Sequence, residues 1–273
     1  MPDFVPVLNH GDIRYYLDHV PGPWVLKPRQ EASAIGIKKI HAAEELWPVL
    51  EQLGDKQSSF LLEKFVPGEV YHVDSVVSEN EVVFANVSKY GKPPMNTAQG
   101  GGVFTTFTVA RGCEEDAGLR QINRDLISAL GLLRGVAHTE FIRAHADGHF
   151  YFLECAARVG GAYINEMIEA ATGINLWREW ARIEVAGGDG SYKLPAVREE
   201  YAGVILSLAR QESPDTSGYS DPEVFMRIKK HHHAGLVLRS ADQQRVQALL
   251  EHYSLRFAQE FMAVEPPREK PTA

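Results

Sequence analysis

The stretch HTEFIRAHADGHFYFLECAARVGG, residues 138–161, sets two acids on either side of an Asp-Gly turn and follows them with an Arg and a glycine pair. Apolar residues on both sides of Asp147-Gly148 predict a β-hairpin. Register decides what the acids can do. If Asp147-Gly148 alone forms the loop, Glu140 faces Cys155 and Glu154 points to the other side of the sheet. If Ala146-Asp147-Gly148 forms it, with Gly148 in the left-handed region, Glu140 stands directly opposite Glu154. Two facing carboxylates repel unless a proton or a cation lies between them. Closely spaced oxygen ligands suit Mg2+. Arg158 and Gly160-Gly161 then lead toward a helix, and amides at a helix start beside an Arg form an anion site. The alternative reading is a hairpin with two solvated acids and an Arg paired to one of them.

Working outward, GPWVLKP (22–28) reads as a short strand, and ASAIGIKKI (32–40) as a small-residue turn running into a second one. Residues 42–53 have helical spacing. SSFLLEKFV (58–66) is a strand closed by Pro67-Gly68, and 69–78 alternates and pairs with 81–90 across Glu79-Asn80. Residues 91–103 hold two prolines and four glycines and read as a mobile loop. A helix is expected over 115–133, with Leu119, Ile122, Leu126, Ile127 and Leu130 on its apolar face. Further helices follow at 162–171, 176–185 and 243–260, with strands at 201–210 and 234–239. Hairpins mixed with helices favour an α+β fold over a doubly wound sheet.

Bulk composition narrows the partners. The 273 residues are 44% apolar and 23% charged, as in ordinary globular proteins. A net charge of −8 argues against a nucleic-acid backbone as partner. The two cysteines, Cys113 and Cys155, form no disulfide framework and suit a reducing cytoplasm. The N-terminus lacks the basic and apolar segments of a signal peptide. The longest apolar run, 202–209, is too short to span a bilayer. A cytoplasmic protein with no membrane partner is expected.

A second phosphate-cradling candidate is KPRQEASAIGI (27–37). Lys27 ends an apolar strand, and small residues follow whose amides can fold over phosphates. A plain hairpin turn with an exposed Lys is the alternative. Neither the P-loop nor the Rossmann glycine pattern occurs. The order LKP, small-residue loop, strand, then FLLEKFVPGEVYHVDSVV, then TEFI, FYFLECAAR and GG resembles the ATP-grasp superfamily. Within it the chain is similar to the carbamoyl-phosphate synthase and biotin carboxylase branch, and the E-x-A-x-R-x-G-G form to carboxylate–amine ligases such as L-amino-acid ligases.

That resemblance implies two subdomains, a lid over 20–60 and a body over 61–265, with ATP between them and a disordered tail over 266–273. It implies that Lys27 touches the phosphates and adenine edge, and that the loop containing Ser33 and Gly36 closes over the phosphates. The hinge Glu63, Lys64, Phe65 and Val66 reads adenine, and Glu69 and His72 lie by the ribose. Glu140 and Glu154 hold Mg2+ or Mn2+, and Arg158 steadies the transferred phosphoryl group. The implied reaction joins a small-molecule carboxylate to an amine or thiol through an acyl phosphate. A bicarbonate-activating enzyme and a non-catalytic ATP-binding subunit are the alternatives. Two departures stand out. Ala156 occupies the position where many relatives have a metal-ligand Asn, with Asn165 as the candidate replacement. The N-terminal domain of relatives has no counterpart here, so a protein partner that supplies it is an expectation, as is a homo-oligomer.

Overall fold

Residues 1–30, 36–93 and 102–264 are described by the structure, a computed structural model. The expectations for Ser33, for most of 91–103 and for the 266–273 tail lie outside the described residues. The chain opens with β1 (Phe4–Pro6) and α1 (His10–His19), neither of which the sequence reading assigned. Asn9 caps α1 by accepting from the Gly11 amide at 2.7 Å, and Asp12 in its first turn complements the helix dipole. Then come β2 (Trp24–Pro28), β3 (Lys38–Ile40), α2 (Ala43–Leu53), a 3-10 helix (Gly54–Ser59) and β4 (Phe60–Lys64). They form a four-stranded antiparallel sheet in the order β1-β4-β2-β3. Its core is Ile13 of α1, Leu26 and Leu62 of the central strands, and Leu46 of α2, all fully buried.

The larger sheet is built from β5 (Gly68–Ser78), β6 (Glu81–Tyr90), β7 (Phe104–Thr108), β8 (Gly135–Ala144), β9 (Phe150–Ala156), β10 (Tyr201–Leu208), β11 (Val224–Arg227) and β12 (His233–Ser240). Its order is β11-β12-β10-β7-β6-β5-β8-β9, every neighbour antiparallel. Helices α3 (Glu114–Leu130), α4 (Ile164–Thr172), α5 (Leu176–Ala186) and α6 (Gln243–Glu260) cover it from both sides. On one face α4 and α5 bury Ile164, Met167, Ile168 and Ile183 against Val76, Val136, Val204 and Val237. On the other, Leu119 of α3 meets Tyr71, Val73 and Phe141, and α6 covers Ile205, Leu236 and Leu238. The α+β fold with two subdomains is therefore present. Among the described residues no helix is long and apolar enough to cross a membrane.

The β5–β6 hairpin forms where its alternation placed it. Glu79 and Asn80 both take positive φ, which matches the turn to the strand twist. Helix α3 ends at Gly131, left-handed at φ 70°, rather than at Leu133. Its buried face runs through Asp116, Leu119, Asn123 and Ile127, while Ile122 and Leu130 are exposed, contrary to the apolar-face expectation. The reason is that Asp116 and Asn123 find partners inside, in Arg120 and Ser75. Helix α4 starts at Ile164 because Ala162 and Tyr163 are both left-handed, at φ 52° and 61°. Strands β7 and β11 were not foreseen.

Candidate active site

The facing of Glu140 and Glu154 is real, but the turn that produces it differs from either expectation. The Ala144 amide donates to the His149 carbonyl and the Gly148 amide to the Ala144 carbonyl, closing a four-residue loop, His145 to Gly148. From there Phe141 pairs with Phe152, a register that by itself would put Leu153 opposite Glu140. A bulge then intervenes and Glu140 pairs with Glu154. Leu153 is the extra residue. Directly opposed strand residues place their side chains on one face, with Cβ atoms about 5 Å apart.

That face belongs to a polar file. β5 presents His72 and Asp74, and β8 presents His138 and Glu140, with His72 opposite Glu140 and Asp74 opposite His138. His72 Nδ1 lies 2.6 Å from Asp74 Oδ2, and His138 Nδ1 lies 2.8 Å from Asp74 Oδ1. His72 Nε2 lies 2.7 Å from Thr106 Oγ1, whose hydroxyl donates to the Lys89 carbonyl at 3.0 Å. His138 Nε2 is 3.5 Å from Glu140 Oε1, and the Tyr90 hydroxyl donates to that same oxygen at 2.7 Å. Among the described residues, the ligand atoms of His72, Asp74 and His138 lie within 4.8 Å of one another. Each imidazole already holds its own oxygen of Asp74, so these groups satisfy one another rather than leaving lone pairs for an ion.

Electrostatics divide the two acids. Burial opposes the Glu140 charge, but the hydrogen bond and charge of His138 and the Tyr90 hydroxyl outweigh it and hold its carboxyl below the usual range. Glu154 is pushed up, by desolvation and then by the Glu140 charge. The residue is exposed at its surface, yet burial of the carboxyl and the charged neighbour still disfavour its anion. Burial works against His138 as well, and Asp74 with Glu140 reverses it to lift the imidazole to about 10. Asp74, fully buried, is driven well below the carboxylate range by the two imidazoles against its desolvation. Tyr90 is raised by burial and by Glu140, so it remains a hydroxyl donor.

The small sheet reaches this site through Lys27. Its ammonium pairs with Glu63 Oε2 at 2.9 Å and donates to the Leu153 carbonyl at 3.0 Å, the bulge residue next to Glu154. Both side chains of the pair are nearly buried, at 12% and 11% exposure. Burial nevertheless raises Glu63, with Lys27 only partly compensating. In the hinge that follows, the Lys64 amide donates to Asp3 and the Phe65 amide to Pro23. The Val66 amide has no partner among the described residues. The Lys39 ammonium sits over the Phe65 ring at 3.7 Å from its centroid.

The other expected site residues divide. Arg158 donates to the Val159 carbonyl at 2.9 Å, and among the described residues it pairs with no carboxylate and its other donors have no partner. Gly36 is left-handed at φ 75°. Glu69 lies on the opposite face of β5 from His72, engaged by Lys89 at 2.5 Å and by the Tyr71 hydroxyl at 3.3 Å. His72 is wholly buried with both ring nitrogens engaged, which leaves none for a ribose. Asn165 is buried, and its Oδ1 accepts from the Leu176 amide at 2.8 Å, so it braces the start of α5. The two glycines after Arg158 differ. A Cβ on Gly161 would meet nothing, whereas one on Gly160 would lie 2.9 Å from His138 Nδ1 and 3.0 Å from Asp74 Oδ1. Sequence reasoning missed Asp74, His138 and Tyr90. The available signal was the pair of polar i, i+2 patterns, His-x-Asp and His-x-Glu, in otherwise apolar strands.

Comparison with known proteins adds the family. A model of the ATP-grasp domain matches residues 20–166. The chain is 28% identical over 192 residues to an L-arginine-specific L-amino acid ligase of Bacillus subtilis, a match covering 67% of this chain and 45% of that protein. The chain thus spans about half the length of the curated relatives it matches. In fold it is similar to L-amino acid ligase from Bacillus licheniformis, with TM-score 0.66 at 18% identity over 97% of this chain and 68% of that one. N5-carboxyaminoimidazole ribonucleotide synthetase from Thermus thermophilus superposes with TM-score 0.69 at 19% identity, covering 97% of this chain and 69% of that one.

Proposed function

Because the chain belongs to the ATP-grasp family, we propose that it binds MgATP between its two sheets and joins a carboxylate to an amine through an acyl phosphate. The observation that carries this reading is a convergence. Lys27 of the small sheet donates to the bulge residue Leu153, beside the facing acids of β8 and β9, and the charge of Arg158 acts on Glu154. Cationic donors beside a pair of acids suit a phosphate bridged to a metal.

The residues fit a divalent cation. Glu140 Oε1 takes both the Tyr90 and His138 contacts, while Oε2 carries no hydrogen bond among the described residues. A cation held between the acids would offset the desolvation and the Glu140 charge that raise Glu154. ATP, with Mg2+ bound, supplies the phosphoryl group and the charge that screens its oxygens. The protein's part is alignment. Lys27 exchanges the Leu153 carbonyl for a phosphate oxygen, the Val66 amide offers the adenine edge a donor, and Arg158 neutralises charge on the phosphoryl oxygens. A positioned carboxylate oxygen displaces ADP, and the amine then displaces phosphate, so no protein nucleophile is required. Glu69 and His72 have no part in this account, since their side chains are engaged elsewhere.

The test is phosphate and ADP release by the full chain over a panel of amino acids and other carboxylates, with Mg2+. Release that needs both a carboxylate and an amine supports the reading. Release driven by bicarbonate alone would move the chain to the bicarbonate-activating alternative.

A further inference from the structure

Two donors converge on a single oxygen of Glu140, the Tyr90 hydroxyl at 2.7 Å and His138 Nε2 at 3.5 Å, and both reach Oε1. A carboxylate occupied from behind at one oxygen presents the other in a defined direction. The donors are themselves held. His138 is fastened by Asp74, Asp74 by His72, and His72 by Thr106, all of them buried. The Tyr90 ring packs on His72 at 4.7 Å between centroids. Gly160 closes the file from above, close enough that any side chain would push on the Asp74–His138 hydrogen bond. Burying this many polar groups opposes folding unless each is satisfied, and an apolar core would serve packing alone.

We propose that Tyr90 and His138, locked by Asp74, His72 and Thr106 under Gly160, are positioning residues that aim Glu140 Oε2 at the cation. The inference rests on the reading of Glu140 and Glu154 as cation ligands. It assigns Gly160 to the protection of this file, because the contact it spares is His138–Asp74. Tyr90 closes β6, so the strand that leads into residues 91–103 ends on the acid's own donor.

The experiment titrates Mn2+ into the full chain saturated with ADP and follows free Mn2+ by electron paramagnetic resonance. ADP affinity in EDTA and the melting temperature are measured alongside. Tyr90→Phe removes one hydroxyl and keeps the ring, and is expected to weaken Mn2+ binding about 10–100-fold while ADP affinity in EDTA stays at the wild-type value. Gly160→Ala, which touches neither Glu140 nor the cation, is expected to act in the same direction. Glu140→Gln is the control. If Glu140→Gln lowers Mn2+ affinity but Tyr90→Phe leaves it unchanged, the file serves packing and the proposal is overturned, whatever the melting temperatures do. If Glu140→Gln also leaves Mn2+ binding unchanged, the cation reading itself fails and takes the inference with it. Should Gly160→Ala not fold, the isosteric Tyr90→Phe still decides.

Discussion

Replacing Lys27 by Met keeps the aliphatic stem and removes the ammonium that spans the two sheets. Two losses follow. Glu63 keeps a nearly buried carboxylate without its cation, and the Leu153 carbonyl loses its donor. Breaking a buried pair from one side costs about 3–5 kcal/mol when the remaining charge has no alternative. Glu63 does have one, because its pKa is already raised and rises further without Lys27. The sign of the pH dependence follows. A carboxyl whose folded pKa lies above its unfolded one favours folding at low pH and loses that contribution as pH rises through the folded pKa. The stability gap between wild type and Lys27→Met is therefore small below the ordinary Glu range and widens toward neutrality. Adding Glu63→Gln removes the stranded acid and closes most of the gap. Nucleotide binding behaves differently. A charge-assisted contact to phosphate is worth about 1.5–3 kcal/mol, or roughly one to two orders of magnitude in affinity. That loss persists in the double variant. Urea unfolding across pH and calorimetric MgATP titration of the three proteins measure both effects. Wild-type nucleotide affinity in the double variant would refute the phosphate role and leave Lys27 as a strut between the sheets.

Further outcomes are expected elsewhere in the site. Cation affinity falls on acidification as Glu154, whose pKa is raised, takes up a proton; Glu154→Gln flattens that dependence in a Mn2+ titration. Asp74→Asn removes the nearer of the two anions that hold the His138 charge against its burial, leaving Glu140 alone to do so, and costs up to about 3–5 kcal/mol in chemical unfolding. In the wild type, the contribution of His138 is fully present below 6.5 and is lost as pH rises through about 10. The contribution of Asp74 is present above 3.8 and is lost in acid. Asn165→Ala uncaps the Leu176 amide and destabilises by about 1–3 kcal/mol. Its Mn2+ affinity equals the wild type's, since Asn165 faces α5 and not the acids.

Local signals explain what was legible. Alternation placed β5 and β6, and the spacing of the glutamates around one turn pointed to their facing. Yet the route was a four-residue loop corrected by a bulge at Leu153, and no turn rule specifies both. The bulge itself matters to the site, since its carbonyl receives Lys27 from 126 residues away. The His72–Asp74–His138 file was out of reach for a similar reason. It exists only because β5 pairs with β8 across more than 60 positions of chain, which sets Asp74 against His138. Helix α3 misled because its inward face includes Asp116 and Asn123, so counting apolar residues selects the wrong stripe. The positive φ of Ala162 and Tyr163 goes against residue preference, so the start of α4 was not legible in the sequence.

The most direct test of the central claim follows the oxygen. With a carboxylate substrate labelled with 18O in both oxygens, turnover through an acyl phosphate transfers one labelled oxygen to inorganic phosphate, and 31P NMR shows the isotope-shifted line alongside ADP. The account predicts that shifted phosphate, formed in step with the amide and lost in Glu154→Gln. Unlabelled phosphate, or label carried into AMP, would contradict it.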